Sequence, residues 1–423
     1  MGWLGGDKWG SQQGSIWVIS WRLYLNPWNL FMGYKIEAKK LYKIFGEDPD
    51  GALELLSQGK AKDEIFRATG QTVGVQNVNF GVAEGEIFVV MGLSGSGKST
   101  LVRMINGLIK PTSGEILIDG VDVANCSVEQ LRQVRREKVA MVFQHFALFP
   151  HKTVADNVAF GLKIRGISAS ERRERAQTAL EQVGLGARAD SYPEELSGGM
   201  QQRVGLARGL ASEPEILLMD EPFSALDPLI RGDMQQELLE LQRVLKKTIV
   251  FITHDLSEAL TLGNTISIMR GGLIVQTGTA EEIVGSPADE YVAAFTKDID
   301  RSLVFKAASI ATPPRSMDIS TLDARAALAR MEELGVDGMH VTENGKLAGL
   351  LTYRDLSAAV RAGGALSEAV RRDYPVATSH TLLFDLYPLA EKGLPIALSD
   401  QPGLLAGVVQ PSAVFTQLTS GRA

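Results

Sequence analysis

Cysteine and long apolar runs are scarce in this chain. Its one cysteine, Cys126, excludes an internal disulfide and fits a reducing compartment. No apolar run reaches the roughly 18 residues that a membrane-spanning helix needs. An excess of positive charge is missing too, because the formal net charge is -7. That sign argues against nucleic acid as a partner and favours a small anionic ligand that the protein holds locally.

Beyond Trp28 the chain contains no tryptophan, although its composition is otherwise that of an ordinary globular protein. Residues 1–33 therefore stand apart as an N-terminal extension of a chain whose length predicts two or three domains. The extension is too short and too interrupted to cross a membrane, and it lacks the basic start of a secretory signal. Three interpretations stay open: translation that begins at Met32, a disordered or interfacial tail, and an additional structural element.

A glycine-rich stretch, GLSGSGKST at residues 92–100, matches the phosphate-binding pattern G-x-x-x-x-G-K-[ST]. An apolar strand pattern precedes it and an amphipathic helix pattern follows, which is the context that the motif requires. The glycines let backbone N–H groups face phosphate oxygens, and the helix N-terminus adds its dipole. Lys98 is predicted to reach the β- and γ-phosphates, and the Ser99 hydroxyl to ligate Mg²⁺. The predicted nucleotide contacts are Gly92, Leu93, Ser94, Gly95, Ser96, Gly97, Lys98, Ser99 and Thr100.

Short apolar strand patterns alternate with helical patterns through the first 300 residues. Strands are predicted at 34–45, 75–82, 86–91, 139–144, 215–221 and 248–254, with a hairpin at 111–123, a helical region at 154–184 and a polar, helix-compatible insertion at 47–74. This alternation predicts an α/β fold with a parallel sheet. Ligands in such folds bind at the carboxyl ends of the strands, where this chain places Gln144, Asp220, Glu221 and His254.

These strand-end residues suit different steps of phosphoryl chemistry. Asp220 is predicted to be a second Mg²⁺ contact. Adjacent strand residues point to opposite sides, so Glu221 has a different role and is predicted to be the general base that polarises the attacking water. His254 is predicted to contact the γ-phosphate, while Gln144 is predicted either to ligate Mg²⁺ or to orient the water.

A second predicted anion site lies in the sequence LSGGMQQR at residues 196–203. Ser197 can cap a helix there, and Gly198 and Gly199 expose the backbone at the start of that helix. One triphosphate needs only one such cradle. The second cradle therefore indicates either another anion or a nucleotide held between two copies of the chain.

Together, these motifs make residues 34–300 resemble the nucleotide-binding subunit of an ABC transporter, a P-loop NTPase with a parallel-sheet core and a helical subdomain. Walker A, the Q-loop glutamine, the LSGGMQ signature, Walker B, the SALD loop at 224–227 and the switch histidine occur in family order. The resemblance implies a head-to-tail homodimer with each ATP between Walker A of one subunit and the signature of the other. It assigns further nucleotide contacts to Phe45, as the aromatic that stacks on adenine, and to Ser197, Gly198, Gly199, Gln201 and Asp227.

A narrower resemblance covers nearly the whole chain from Tyr34. The insertion and the stretches AMVFQHFALFPH, SYPEELSGGMQQRVGLAR and FSALDPLIR are similar to those of import ATPases for glycine betaine and proline betaine, the quaternary amine family. The resemblance implies an ATPase that is peripheral on the cytoplasmic face of the inner membrane. It implies a transmembrane permease, which contacts the segment after Gln144, and indirectly a substrate-binding protein. The alternatives are import of choline, an amino acid or another small solute, and a non-transport ATPase or nucleotide sensor.

The chain beyond a linker at 301–317 contains an internal repeat. Gly335, Gly345, Leu347, Ala348 and Gly349 recur in the same order as Gly393, Gly403, Leu405, Ala406 and Gly407. Residues 318–423 resemble a tandem CBS pair, an α+β regulatory domain that these ATPases often carry.

Two residues of the first copy keep the motif with which CBS modules bind adenine nucleotides, Thr352 and Asp355. Gln410 and Ala413 stand at the corresponding positions of the second copy, which predicts the loss of its ribose contact. A purely structural dimerisation module is the alternative. Arg371 and Arg372 are interpreted as ordinary solvated charges or as contacts to an anionic surface.

Overall fold

The computed structural model describes residues 33–419 with the exception of His145, so the N-terminal extension up to Met32 lies outside the described residues. The strands of the first part of the chain are β1 (Ile36–Phe45), β2 (Thr72–Val82), β3 (Ile87–Met91), β4 (Ser113–Ile118), β5 (Val121–Asp122), β6 (Val139–Val142), β7 (Ile216–Asp220), β8 (Thr248–Thr253), β9 (Thr265–Arg270) and β10 (Leu273–Gly278).

The helices of the same part are α1 (Pro49–Ser57), α2 (Lys62–Thr69), α3 (Lys98–Ile105), α4 (Val128–Glu137), α5 (Val154–Val158), α6 (Phe160–Ile164), α7 (Ala169–Gln182), α8 (Gly198–Leu210), α9 (Pro228–Leu245), α10 (Leu256–Leu262), α11 (Ala280–Gly285) and α12 (Glu290–Thr296).

A six-stranded sheet in the order β10-β9-β3-β8-β7-β6 forms the centre of this part. All its neighbouring pairs are parallel except β9 with β10. Every residue of β3, β7 and β8 is buried, as expected for parallel strands that are covered on both faces. The predicted parallel-sheet core is confirmed, whereas the sequence analysis did not predict β9 and β10.

The two faces of the central sheet belong to different apolar clusters because alternate residues of a strand point to opposite sides. Val89 and Met91 pack with the helices α5, α7 and α8 on one face. Phe88 and Val90 pack on the other face with α3 and with a second, antiparallel sheet in the order β2-β1-β4-β5. Helix α3, which follows the phosphate-binding pattern, is thereby enclosed between two sheets.

The predicted insertion forms the helices α1 and α2 between β1 and β2. Asp48 caps α1 by accepting a hydrogen bond from the Gly51 N–H at 3.0 Å. Ala52 and Ile65 are buried against the neighbouring strands in a small apolar cluster. Strand β2 begins at Thr72, earlier than the predicted residue 75, because Phe45 and Thr72 already pair across the two strands.

The C-terminal part contains two similar units. Its strands are β11 (Ser316–Asp318), β12 (Gly338–Glu343), β13 (Lys346–Thr352), β14 (Val376–Ala377), β15 (Ile396–Leu398) and β16 (Gly407–Val409), and its helices are α13 (Ala307–Ile310), α14 (Ala324–Leu334), α15 (Tyr353–Ala362), α16 (Leu366–Ala369), α17 (Leu383–Ala390) and α18 (Pro411–Thr419). Each unit has a three-stranded sheet with one parallel and one antiparallel pair.

The segment predicted as a linker is packed over much of its length. Val304, Phe305 and Ala307 are buried in one apolar cluster with residues of α17 and with Val284 of α11. Strand β11 then begins at Ser316, inside the predicted linker. The apolar side chains at 304–307 explain this packing, since burying them against the second unit removes them from water.

Candidate active site

The loop between β3 and α3 requires glycine at two positions. Gly92 and Gly97 have φ angles of 158° and 105°, which side chains rarely adopt. A Cβ atom on Gly92 would lie 2.3 Å from the carbonyl oxygen of Met269, and one on Gly97 would lie 2.5 Å from that of Gly74. The backbone of the loop is therefore in direct contact with two other segments.

The loop presents hydrogen-bond donors that have no acceptor among the residues which the structure describes. These are the N–H groups of Lys98, Ser99 and Thr100 at the start of α3, and the buried Ser96 hydroxyl. Unpaired donors at the positive end of a helix favour an anion, so this cradle fits the phosphates of a nucleotide.

Lys98 is buried beside the loop. Its Nζ atom donates to the carbonyl oxygens of Gly92 at 2.7 Å and Leu93 at 3.1 Å, and it lies 3.8 Å from Glu221 Oε1. Burial lowers the pKa of Lys98, while the carboxylates of Glu221 and Asp220 oppose that shift. The cation thus stands between the phosphate loop and the predicted general base.

Ser99 and Asp220 meet although 121 residues separate them along the chain. The Ser99 hydroxyl donates to Asp220 Oδ1 at 3.0 Å. Asp220 is buried, which raises the pKa of its carboxyl. Within the described residues no lysine or arginine forms an ion pair with it. A hydroxyl and a carboxylate oxygen side by side are ligands that suit Mg²⁺.

Glu221 lies just beyond the end of β7, not inside the strand. Its φ angle of 47° turns the chain, and its N–H donates to the Ile252 carbonyl at 3.0 Å. Asp220 and Glu221 therefore do not point to opposite sides as strand alternation predicted, because the turn brings both carboxylates towards the phosphate loop. Asp220 meets Ser99, and Glu221 meets Lys98.

His254 follows β8 and contacts the carboxylate of Glu221. Its Nδ1 atom lies 2.9 Å from Glu221 Oε2. Strands β7 and β8 are direct neighbours in the sheet, which explains how residues from their two ends come into contact. The structure thus groups Lys98, Ser99, Asp220, Glu221 and His254 at one edge of the central sheet.

Gln144 is exposed just after β6, at the same edge of the sheet. Its side chain forms no hydrogen bond to this group in the described part of the chain. The structure therefore places Gln144 near the strand ends without joining it to them, and its role stays a prediction.

The signature segment forms the start of α8. Ser197 caps the helix by accepting from the Met200 N–H at 3.4 Å, and Ser197 and Gly198 are exposed. Gly199 is buried, and a Cβ atom there would lie 2.5 Å from Ile230 of α9. The Gln201 amide donates to the carbonyls of Pro193 and Leu196 at 3.0 and 3.2 Å.

Asp227 caps the neighbouring helix, α9, by accepting from the Ile230 N–H at 3.2 Å. Like Ser197 and Gly198 it is exposed. Within residues 33–144 and 146–419, no hydrogen bond joins either capping residue to the phosphate loop. The predicted nucleotide contacts of these two helix starts are therefore not brought to the loop within one chain.

Phe45 lies beside the phosphate loop at the end of β1. Its ring packs on Gly74, where an added Cβ atom would lie 2.8 Å from Phe45 Cε2, and the Gly74 carbonyl in turn packs on Gly97. The Lys43 ammonium stands 5.1 Å from the centre of the same ring. This position suits an aromatic that stacks on a base, and that role stays a prediction.

Sequence reasoning missed a support of the loop in the turn between β9 and β10. The Gly272 N–H donates to the Ser96 carbonyl at 2.9 Å, and the Gly272 carbonyl accepts from the Gln76 N–H at 2.9 Å. The available signal was the pair Gly271-Gly272 between two apolar runs, which is typical of a hairpin turn.

Thr352 and Asp355 form a self-contained cap at the start of α15. The Thr352 hydroxyl donates to Asp355 Oδ2 at 2.7 Å and accepts from the Asp355 N–H at 3.1 Å. Arg371 donates to the same carboxylate at 2.5 Å and holds the pKa of Asp355 below its usual value. The interpretation of Arg371 as a simply solvated charge is therefore wrong, since it is ion-paired.

None of the helices in the described part of the chain combines the length and the apolar character that a bilayer crossing requires. The family model described as ABC transporter matches residues 75–224. These residues include the phosphate loop, the signature and the acidic end of β7.

The chain belongs to the ATP-binding proteins of ABC transporters. It is 48% identical over 388 residues to the glycine betaine/carnitine transport ATP-binding protein GbuA of Listeria monocytogenes, with 91% of this chain and 98% of the relative covered. It is 52% identical over 343 residues to the glycine betaine/proline betaine transport system ATP-binding protein ProV of Escherichia coli, with 80% and 86% covered.

A solved structure supports the same fold. The cbiO1 chain of Clostridium perfringens, part of the ABC transporter complex cbiONQ, superposes with a TM-score of 0.51 and 27% sequence identity. The match covers 61% of this chain and 93% of that chain.

Proposed function

We propose that this chain is the ATP-hydrolysing subunit of an importer for quaternary ammonium osmolytes such as glycine betaine and proline betaine. The observation that carries the ATPase assignment is the convergence of Lys98, Ser99, Asp220, Glu221 and His254 beside the phosphate loop. The substrate class rests on the relatives, because those named for glycine betaine match this chain over nearly their full length.

The site residues then divide the work of hydrolysis. The loop N–H groups of residues 92–100 and Lys98 hold the phosphates, and Ser99 and Asp220, with Gln144, hold Mg²⁺. When bound, the metal neutralises charge that develops on the phosphate oxygens. Glu221 accepts a proton from the water that attacks the γ-phosphorus, while the bond from that phosphorus to the bridging oxygen breaks and ADP leaves. His254 orients Glu221 and contacts the γ-phosphate.

The nucleotide site needs a second copy of the chain. The exposed starts of α8 and α9 offer Ser197, Gly198 and Asp227 to a partner, and no hydrogen bond in the described part of the chain joins them to the loop. In a head-to-tail homodimer these residues, with Gly199 and Gln201, close each ATP against the phosphate loop of the other subunit. The Phe45 ring, which packs on Gly74, would stack on adenine.

The segment after Gln144 is the proposed contact for a transmembrane permease, which would hold the chain on the cytoplasmic face of the membrane. Side chains of two other segments fix the backbone of this segment by hydrogen bonds. Arg208 donates to the carbonyls of Ala147 and Phe146 at 2.6 and 3.0 Å, and the buried Asn157 side chain bonds the backbone of Phe149. A binding protein that delivers the osmolyte would act through the permease.

The C-terminal pair of units is proposed to regulate the ATPase as a CBS module. An adenine nucleotide at Thr352 and Asp355 would have to compete with Arg371, which already pairs with that carboxylate. A purely structural dimerisation role is the alternative.

The test is transport by the complete system. The chain is co-expressed with a candidate permease and binding protein from the same organism, reconstituted in vesicles, and assayed for ATP-dependent uptake of labelled glycine betaine, choline and proline. We expect glycine betaine uptake to stop when Glu221 is replaced by Gln. Uptake of choline or proline in its place would support another importer, and ATP hydrolysis without any associated permease would support a non-transport ATPase or nucleotide sensor.

A further inference from the structure

We propose that Arg231 is a positioning residue that links the start of α9 to His254. Contacts made by a second copy near Asp227 would then alter the Glu221–His254 pair. The inference rests on the proposed function, because it takes Glu221 and His254 as the groups that act on water and phosphate.

Arg231 lies in the first turns of α9 and spans the gap to α10. Its Nη2 atom donates to the Leu226 carbonyl at 3.2 Å, which fixes the segment just before Asp227. Its Nη1 atom donates to Asp255 Oδ2 at 3.3 Å, and its Nε atom lies 3.7 Å from Glu258 Oε1. One guanidinium thus touches both the start of α9 and the segment that carries His254.

The two carboxylates that contact Arg231, those of Asp255 and Glu258, also fix the backbone around His254. The Thr253 hydroxyl donates to Glu258 Oε2 at 2.6 Å and accepts from the Asp255 N–H at 2.9 Å. Asp255 Oδ1 accepts from the N–H groups of Ser257 and Glu258 at 2.8 and 3.3 Å. His254 therefore cannot shift relative to the sheet without disturbing the contacts that Arg231 completes.

The contact between Arg231 and Glu258 has an unmade hydrogen bond. Arg231 Nε is buried and has no hydrogen-bond partner in the part of the chain that the structure describes. Glu258 is buried, with 4% of its surface exposed. A shift of less than about 1 Å would bring the two atoms within bonding distance, and a desolvated charged bond is strong enough to favour one position of α9.

The start of α9 is open to a second copy of the chain. Asp227 and Pro228 are exposed, and Leu229 keeps 76% of its surface in contact with solvent. A subunit that presses on this surface moves the helix to which Arg231 belongs. The displacement reaches Asp255 and Glu258 through charged contacts and reaches His254 through its two chain neighbours.

The test replaces Arg231 by Met, which keeps the length of the side chain and removes its charge and donors. The matched control is Arg243→Met on the same helix, where the arginine is 75% exposed and pairs with Glu240. We expect Arg231→Met to lower kcat by about 100-fold, as a small misplacement of a reacting group does, with unchanged ATP affinity. The control should leave both quantities unchanged.

A spectroscopic signature separates positioning from general destabilisation. The chain has 5 histidines, so the imidazole signals of His254 can be assigned by NMR with a His254→Ala variant. Arg231→Met should shift the His254 signals and leave the others in place. If Arg231→Met fails to fold, Glu258→Gln serves the same purpose, with an expected tenfold loss of kcat at unchanged ATP affinity, about the cost of one charged hydrogen bond.

Wild-type turnover in Arg231→Met or Glu258→Gln would overturn the inference. So would a fall in ATP affinity that parallels the fall in kcat, since that result describes a merely structural residue. Failure of the proposed function looks different: the wild-type chain would not hydrolyse ATP, or Glu221→Gln would hydrolyse it normally.

Discussion

Two pairs of a hydroxyl and an aspartate, Ser99 with Asp220 and Thr352 with Asp355, have similar hydrogen bonds and opposite surroundings. The first joins residues 121 positions apart and the second joins residues three apart. Burial raises the pKa of Asp220, which has no ion-pair partner among the described residues, whereas Arg371 lowers the pKa of Asp355. The first carboxylate is left for an external cation, and the second is satisfied by the chain itself.

The largest expected effect concerns Glu221, the chain neighbour of Asp220. Replacing Glu221 by Gln should lower kcat by about 1,000-fold, because the amide cannot accept a proton from water. ATP affinity should stay unchanged, since Lys98 and the loop N–H groups are intact. Phosphate release and equilibrium nucleotide binding measure the two quantities. Glu240→Gln, on the exposed side of α9, is the control. Equal turnover in both variants would contradict the role of Glu221 as the general base.

The next effect tests whether burial disfavours the charged form of a side chain in the C-terminal units, as it does for Asp220. His340 in β12 is buried, and burial lowers its pKa to about 4 from the ordinary value of 6.5. Between these values the unfolded chain binds a proton that the folded chain excludes, so stability falls as the pH falls. We expect a loss of about 3 kcal/mol from pH 6.5 to pH 4.

Chemical denaturation across this pH range measures that loss. In His340→Leu the slope between pH 6.5 and pH 4 should flatten. His380→Ala, which removes an exposed histidine, is the matched control and should retain the slope of the wild type. If the stability of the wild type did not change between pH 6.5 and pH 4, burial would not disfavour the charged form of His340 as it does that of Asp220.

Asparagine substitutions should affect the stability of the two pairs with opposite signs. Asp220→Asn is expected to stabilise the nucleotide-free chain by about 1 kcal/mol, because it removes a buried carboxylate that has no ion pair. Asp355→Asn is expected to destabilise it by less than about 1 kcal/mol, because it removes an exposed ion pair with Arg371. Unfolding in denaturant at pH 7 measures both, and shifts of the same sign would refute the contrast.

A last effect, similar in size to these two, tests the local nature of the second pair. Thr352→Ala removes the cap of α15 and should cost about 1 kcal/mol. Thr352→Ser keeps the hydroxyl and is the control. Hydrogen exchange in the first turn of α15 locates the loss, which should not extend to α3.

The contacts within the two pairs could be predicted from the sequence to different extents, because one pair is local along the chain and the other is not. Thr352 and Asp355 are close along the chain, so local capping rules describe their contact. Ser99 and Asp220 could be placed together only because parallel strands end at one edge of a sheet. The turn at Glu221 was missed, since a left-handed residue other than glycine has no clear local signal. Arg371 was missed because its partner is fixed by the packing of the first unit.

Gly272 connects two parts of the candidate nucleotide site through its own backbone. On one side its N–H holds the phosphate loop at Ser96, and on the other its carbonyl holds β2 at Gln76. Both contacts are made by the backbone of one residue, so neither depends on a side-chain rotamer. We therefore expect a displacement of β2 at Gln76 to reach the phosphate loop at Ser96 through this single residue.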